Sequence, residues 1–150
     1  AHLAETAKEI TKSISGVSAY VSVNKALVTQ SSSAIPIVPL YISILYKIMK
    51  EMDIHEGCIE QMYRMFAEKL YGGSVVTDEE GLIRMDDWEM RGDVQNKISE
   101  IWNNISDDTI GECADLDGYR TDFNRLFGFD AEGVDYEADT DTAAGIESLA

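Results

Sequence analysis

The chain is poor in residues that staple, break or neutralise a fold. Its two cysteines, Cys58 and Cys113, lie far apart with no Cys-x-x-Cys spacing, so neither a disulfide framework nor a zinc ligand set is expected. Two free thiols fit a reducing cytosol, and a cytoplasmic protein is expected. The two prolines, Pro36 and Pro39, share one short segment. Bases are scarce: 12 Lys and Arg face 28 Asp and Glu, a formal charge of −16. Such a surface repels phosphate backbones and anionic bilayers, so nucleic acid and membranes are not expected partners. The most apolar stretch, Ala34 to Tyr46, is too short and too proline-broken to span a bilayer. The polar opening Ala1-His-Leu-Ala-Glu5 lacks a signal-peptide core. Also missing are a P-loop, a Gly-rich dinucleotide fingerprint and a Ser/His/Asp set.

What remains is an ordinary globular balance, 45% hydrophobic and 27% charged over 150 residues, enough for one domain or part of one. Leu3, Ala7, Ile10 and Ile14 recur at helical spacing, and Gly16 stops that helix. Ala19 to Val28 is valine-rich and reads as a strand covered on both faces. Gln30-Ser-Ser-Ser33 reads as a polar loop. Pro39 suits the first turn of a helix over Leu40 to Lys50, apolar almost all round and so buried. Cys58 to Tyr71 reads as another helix, with Ile59, Met62, Tyr63, Phe66 and Leu70 on one face. Val75-Val76 and Leu82-Ile83 read as a hairpin around Asp78-Glu-Glu-Gly81. Asp86 and Glu89 have capping-box spacing ahead of a helix with Val94, Ile98, Ile101, Trp102 and Ile105 on one stripe. Tyr119 to Phe129 is aromatic. From Asp130 to Asp141 there are six acids and no base, which reads as a solvated tail, with 142–150 disordered. The fold class is α/β and helix-rich, with an incomplete sheet: one long strand needs partners that the sequence does not supply.

Several clusters invite a chemical reading. A strand end at Lys25-Ala-Leu-Val-Thr-Gln30 lets backbone groups approach a planar ligand, although an ordinary strand running into a loop has the same pattern. His55-Glu56 is compatible with acid–base work, but no nucleophile or further ligand stands nearby. A structural histidine that caps the next helix is the simpler reading. Cys113-Ala-Asp-Leu-Asp-Gly118 fails as a calcium loop at both its first and twelfth positions. The Tyr119–Phe129 aromatics suit either an acyl pocket or plain core packing.

Seven runs resemble, in order, the NADH-dependent trans-2-enoyl-CoA/acyl-carrier-protein reductases, distant relatives of the short-chain dehydrogenase/reductases. They are Val21-Ser-Val-Asn-Lys-Ala-Leu-Val-Thr-Gln30, Ala34-Ile-Pro-Ile-Val-Pro-Leu-Tyr-Ile-Ser43 and His55-Glu-Gly-Cys-Ile-Glu-Gln61, followed by Asp86-Asp-Trp-Glu-Met-Arg91, Gly118-Tyr-Arg120, Arg125-Leu-Phe-Gly-Phe129 and Gly133-Val-Asp-Tyr136. The resemblance implies the helix-rich carboxyl-terminal portion of a Rossmann-like fold over residues 1–141. On that reading the cofactor-binding half, with its catalytic Tyr-x8-Lys pair, falls upstream of Ala1. It further implies NADH as cofactor, enoyl-CoA or an enoyl-acyl-carrier protein as substrate, and a monomeric parent. Ala26, Leu27, Val28 and Thr29 are then expected to meet the nicotinamide end of the cofactor, and Ile35 and Tyr119 to line the substrate pocket. The isolated piece is expected to be inactive and to expose the apolar face of its Leu40–Met49 helix. The competing reading is a self-folding acidic interaction or acyl-binding domain without catalysis.

Overall fold

Helix α3 (Val38–Glu51) organises the molecule. The computed structural model describes residues 2–139 and residue 141; the expected tail at 142–150 lies outside them. Ile42, Ser43, Ile44, Leu45, Tyr46, Ile48 and Met49 of α3 are all buried, because helices cover it on several sides. One apolar cluster joins Ile44, Leu45, Ile48 and Met49 to Val94, Ile98 and Ala114. Another joins Ile42 and Tyr46 to Val28, with Tyr119 and Phe123 packed against it. Fully burying such side chains contributes roughly 1.5–3 kcal/mol each before entropy. The expected exposure of the Leu40–Met49 helix is therefore overturned: α5 (Gly92–Asn104) and α7 (Leu116–Arg125) enclose it.

Before α3 come α1 (His2–Ser13), β1 (Val21–Val23) and α2 (Gln30–Ala34). The amphipathic α1 packs against β1. The expected strand is shorter than the valine pattern suggested. It pairs only as far as Val23, whose carbonyl accepts both Met85 N–H at 2.9 Å and Asp86 N–H at 3.1 Å. Residues 24–29 continue without regular pairing, and the expected polar loop winds into α2, capped by Thr29.

The expected Val75–Ile83 hairpin is also corrected. Leu82–Arg84 forms β2, which lies parallel to β1 in the register Val21↔Leu82, Ser22↔Ile83 and Val23↔Arg84. The chain does supply its strand with a partner, but across a long helical crossover, as parallel pairing requires. The turn at Asp78 instead satisfies itself, because the Asp78 carboxylate accepts Glu80 N–H and Leu82 N–H, both at 2.9 Å.

Helix α4 (Cys58–Arg64) passes into a π-helical turn over Met65–Leu70. Its orientation reverses the expectation. Ile59 and Tyr63 are 77% and 75% exposed, while Gln61 and Arg64 are buried. The cause is electrostatic. Arg64 makes two bonds to Glu56, at 2.7 and 2.9 Å, donates to Met85 C=O at 3.0 Å and contacts Asp87 at 2.9 Å. Its guanidinium also stacks 4.2 Å from the Trp88 ring centroid. A forked guanidinium with this many acceptors fixes which face of the helix turns inward. Helix α6 (Ile110–Cys113) is a single turn between α5 and α7.

Candidate functional site

The site expected at the strand end is the stretch from Lys25 to Thr29, held in place by side chains. Glu89 accepts Ala26 N–H at 2.7 Å, and the Tyr46 hydroxyl accepts Val28 N–H at 3.2 Å. Lys25 Nζ donates to Ala26 C=O at 3.1 Å. Ser32 Oγ donates to Leu27 C=O at 3.0 Å and accepts Thr29 N–H at 2.8 Å. Thr29 C=O accepts Ser33 N–H at 3.1 Å. Among the described residues, Leu27 N–H and Val28 C=O have no hydrogen-bond partner.

Glu89 is itself fixed. Tyr41 Oη donates to its carboxylate at 2.6 Å, and Gln95 Nε2 donates to its carbonyl at 2.8 Å. Glu89 therefore does not serve as the helix-entry acid that its spacing from Asp86 suggested. Asp86 pairs with Arg84 instead, and α5 begins only at Gly92.

Tyr46 is the centre of an aromatic and cationic box. Lys25 Nζ lies 4.8 Å and Lys50 Nζ 5.7 Å from its ring centroid, and the His55 ring meets it edge-on at 4.4 Å. Burial pulls the Lys25 ammonium down to about 8, opposed by Glu89, Glu56 and Asp122. Burial, then the Lys25 and Lys50 charges, brings His55 down to about 4. Burial raises the Tyr46 hydroxyl to about 12. Burial and the hydrogen bond to Glu89 do the same for Tyr41.

His55 does not pair with Glu56, whose carboxylate belongs to Arg64, and it does not cap α4, whose first flanking residue is Gly57. Its Nδ1 is buried without a partner among the described residues. Held neutral by burial, the imidazole packs edge-on against Tyr46.

The two residues expected in a substrate pocket are differently placed. Ile35 is 53% exposed just after α2. Tyr119 packs on the Val28 cluster, with its buried hydroxyl beside Ser32 but without a well-formed hydrogen bond. No local sequence signal marks Glu89, Tyr41 and Tyr46 as neighbours of the strand end. They reach it from distant elements.

Elsewhere, an open apolar groove of about 550 Å³ runs beside β1, lined by Tyr20, Met65, Phe66 and Tyr71 among others. A second cleft, about 510 Å³, lies between α3 and α7, and its Lys47 and Lys50 are paired to Glu51 and Asp115. Among the described residues, no cluster of His, Cys, Asp and Glu could hold a metal, and no helix is long and apolar enough to cross a membrane.

Two family models match the chain: a trans-2-enoyl-CoA reductase catalytic region over residues 1–71 and an enoyl reductase FAD binding domain over residues 77–140. An enoyl-[acyl-carrier-protein] reductase [NADH] of Flavobacterium psychrophilum is 58% identical over 99% of this chain and 38% of its own length. A trans-2-enoyl-CoA reductase [NADH] of Ruminiclostridium cellulolyticum is 55% identical over 89% of the chain and 34% of its own. The crystal structure of Treponema denticola trans-2-enoyl-CoA reductase in complex with NAD superposes with a TM-score of 0.86. It is 46% identical over 93% of this chain and 35% of that one. The chain thus spans little more than a third of the length of these relatives. With both segments matched in order and identities of 46% to 58% to such enzymes, the chain belongs to the trans-2-enoyl-CoA/enoyl-[acyl-carrier-protein] reductase family.

Proposed function

We propose that this chain is the carboxyl-terminal portion of a Rossmann-like NADH-dependent reductase of enoyl thioesters, and that it supplies the nicotinamide-facing strand end without the proton donor. The unpartnered Leu27 N–H carries the reading. In an extended run, the amides of Ala26 and Val28 face one way, towards Glu89 and Tyr46, and that of Leu27 faces the other. Leu27 then offers a donor, and a carbonyl whose second lone pair is free beside Ser32, to a primary carboxamide. NADH, where bound, supplies the hydride that reduces the trans-2 double bond. The residues of this chain hold its carboxamide end at Ala26–Thr29, exclude water through the Val28–Tyr46 cluster, and wall the acyl group with Ile35 and Tyr119. A cytoplasmic, monomeric parent acting on a coenzyme A or carrier-protein thioester completes the reading.

The flavin named in the second family model does not fit residues 77–140. Nineteen acids face five bases there, and a flavin dinucleotide needs its diphosphate neutralised. Arg84, Arg91 and Arg120 are paired to Asp86, Asp93 and Asp117. The helix entrances, which can bind anions, are already taken by carboxylates: Asp93 accepts Val94 N–H and Asp115 accepts Gly118 N–H, each at 3.0 Å.

The test is NADH oxidation with crotonyl-CoA by the purified 150 residues, together with an amide-resolved NADH titration. We expect no turnover and a shift of the Leu27 amide. Clear turnover would place the proton donor inside this chain, and a Leu27 amide indifferent to saturating NADH would remove the cofactor role.

A further inference from the structure

Past Val23 the chain leaves β2, so residues 24–29 have no ladder to place them, yet Lys25 and Val28 are buried. Irregular backbone of this kind takes its position from whatever side chains satisfy it. Beside the local bonds from Lys25 and Ser32, two side chains do so from farther along the chain: Glu89 takes Ala26 N–H and Tyr46 takes Val28 N–H. Neither is free to swing away. Glu89 is tethered through Tyr41 and Gln95, and the Tyr46 ring is enclosed by Lys25, Lys50 and His55.

We propose that Glu89 and Tyr46 are positioning residues that set the nicotinamide-facing run, so that through Glu89 the segment matched to a flavin-binding model helps to buttress the cofactor site. The proposal rests on the cofactor reading given above. Spaced two residues apart, the two bonds fix the phase of the run. They turn the Leu27 amide away from the core and leave it available. If either is lost, the run can rotate, and Leu27 N–H can then be captured by protein or water instead of ligand. The bond to Glu89 is charge-assisted and so the stronger of the two.

The test uses the full chain, isotopically labelled, with amide exchange and NADH titration followed in wild type, Tyr46→Phe, Glu89→Ala and Glu89→Gln. Tyr46→Phe keeps the ring and deletes the acceptor. Val28 exchange should accelerate about tenfold, the size of one hydrogen bond, and the NADH Kd should rise by a similar factor. The core amides of Ile44 and Leu45 in α3, and of Ile98 in α5, should stay protected. Glu89→Ala should do the same at Ala26, while Glu89→Gln, which retains an acceptor oxygen, should restore most of the affinity. Faster exchange at Ala26 and Val28 with an unchanged NADH Kd would overturn the proposal, and so would loss of protection throughout α3 and α5 in Tyr46→Phe. A wild-type chain whose Leu27 amide ignores NADH would instead overturn the cofactor reading itself, a result separable from equal affinities among the variants.

Discussion

The Glu89 carboxylate and the Ala26 amide meet at 2.7 Å although 63 residues of sequence separate them. That contact joins the two matched segments at the point where the backbone ceases to be a strand. A second tie runs through Arg64, which spans Glu56 of the first segment and Asp87 and Met85 of the second.

Arg64→Leu should lower the free energy of unfolding by about 3–5 kcal/mol, because it strands the buried Glu56 carboxylate without a counter-charge. Adding Glu56→Leu should recover most of that loss. Urea denaturation of the two variants measures both effects, and a double variant as weak as the single one would show that the fork matters through Met85 and Asp87 instead.

Stability should rise with pH between about 8 and 10 because of Lys25. Its folded value is about 8, below the ordinary 10.5, so over that interval the unfolded chain binds more protons than the folded one, and raising the pH favours the fold. The full effect is on the order of 3 kcal/mol. Tyr41 and Tyr46, both raised to about 12, act in the opposite sense only above 10. Lys25→Met should flatten the rise in a thermal-melting series across this range.

On the acid side His55 should dominate the first loss of stability. Held near 4 against an ordinary 6.5, it stays neutral in the fold while the unfolded imidazole takes up a proton, so stability falls as pH drops from 6.5 towards 4. Around it lie Tyr46, Lys25, Lys50, Asp115 and Glu60. The lowered Asp87 and Asp115 begin to contribute only below 3.8. His55→Phe should remove the shallow limb between 6.5 and 4 and leave the steeper one beneath it.

The sequence made α3 legible, since an apolar run entered by a proline has few other uses, and it marked the start of β1 through its valines. It misjudged α4 because hydrophobic periodicity assumes that the apolar face turns inward, whereas Arg64, with its acceptor groups waiting, outcompetes Ile59 and Tyr63 for the interior. It misjudged Leu82–Arg84 because a nearby valine pair suggested a local hairpin, and parallel pairing leaves no local trace. At the site, the Ala26–Thr29 run could be picked out, but the side chains behind it could not. Glu89 had a sufficient local explanation as a cap, and Tyr46 is one residue of a helix whose apolar character already accounts for its burial.

The seam between the two matched segments, at residues 72–76, is therefore not a folding boundary. The sole partner of β1 among the described residues comes from beyond it, and so do α5 and α7, which cover α3. A chain cut there would yield one piece with a naked central helix and another with nothing to wrap around, so the two inherited names describe a single cooperative body.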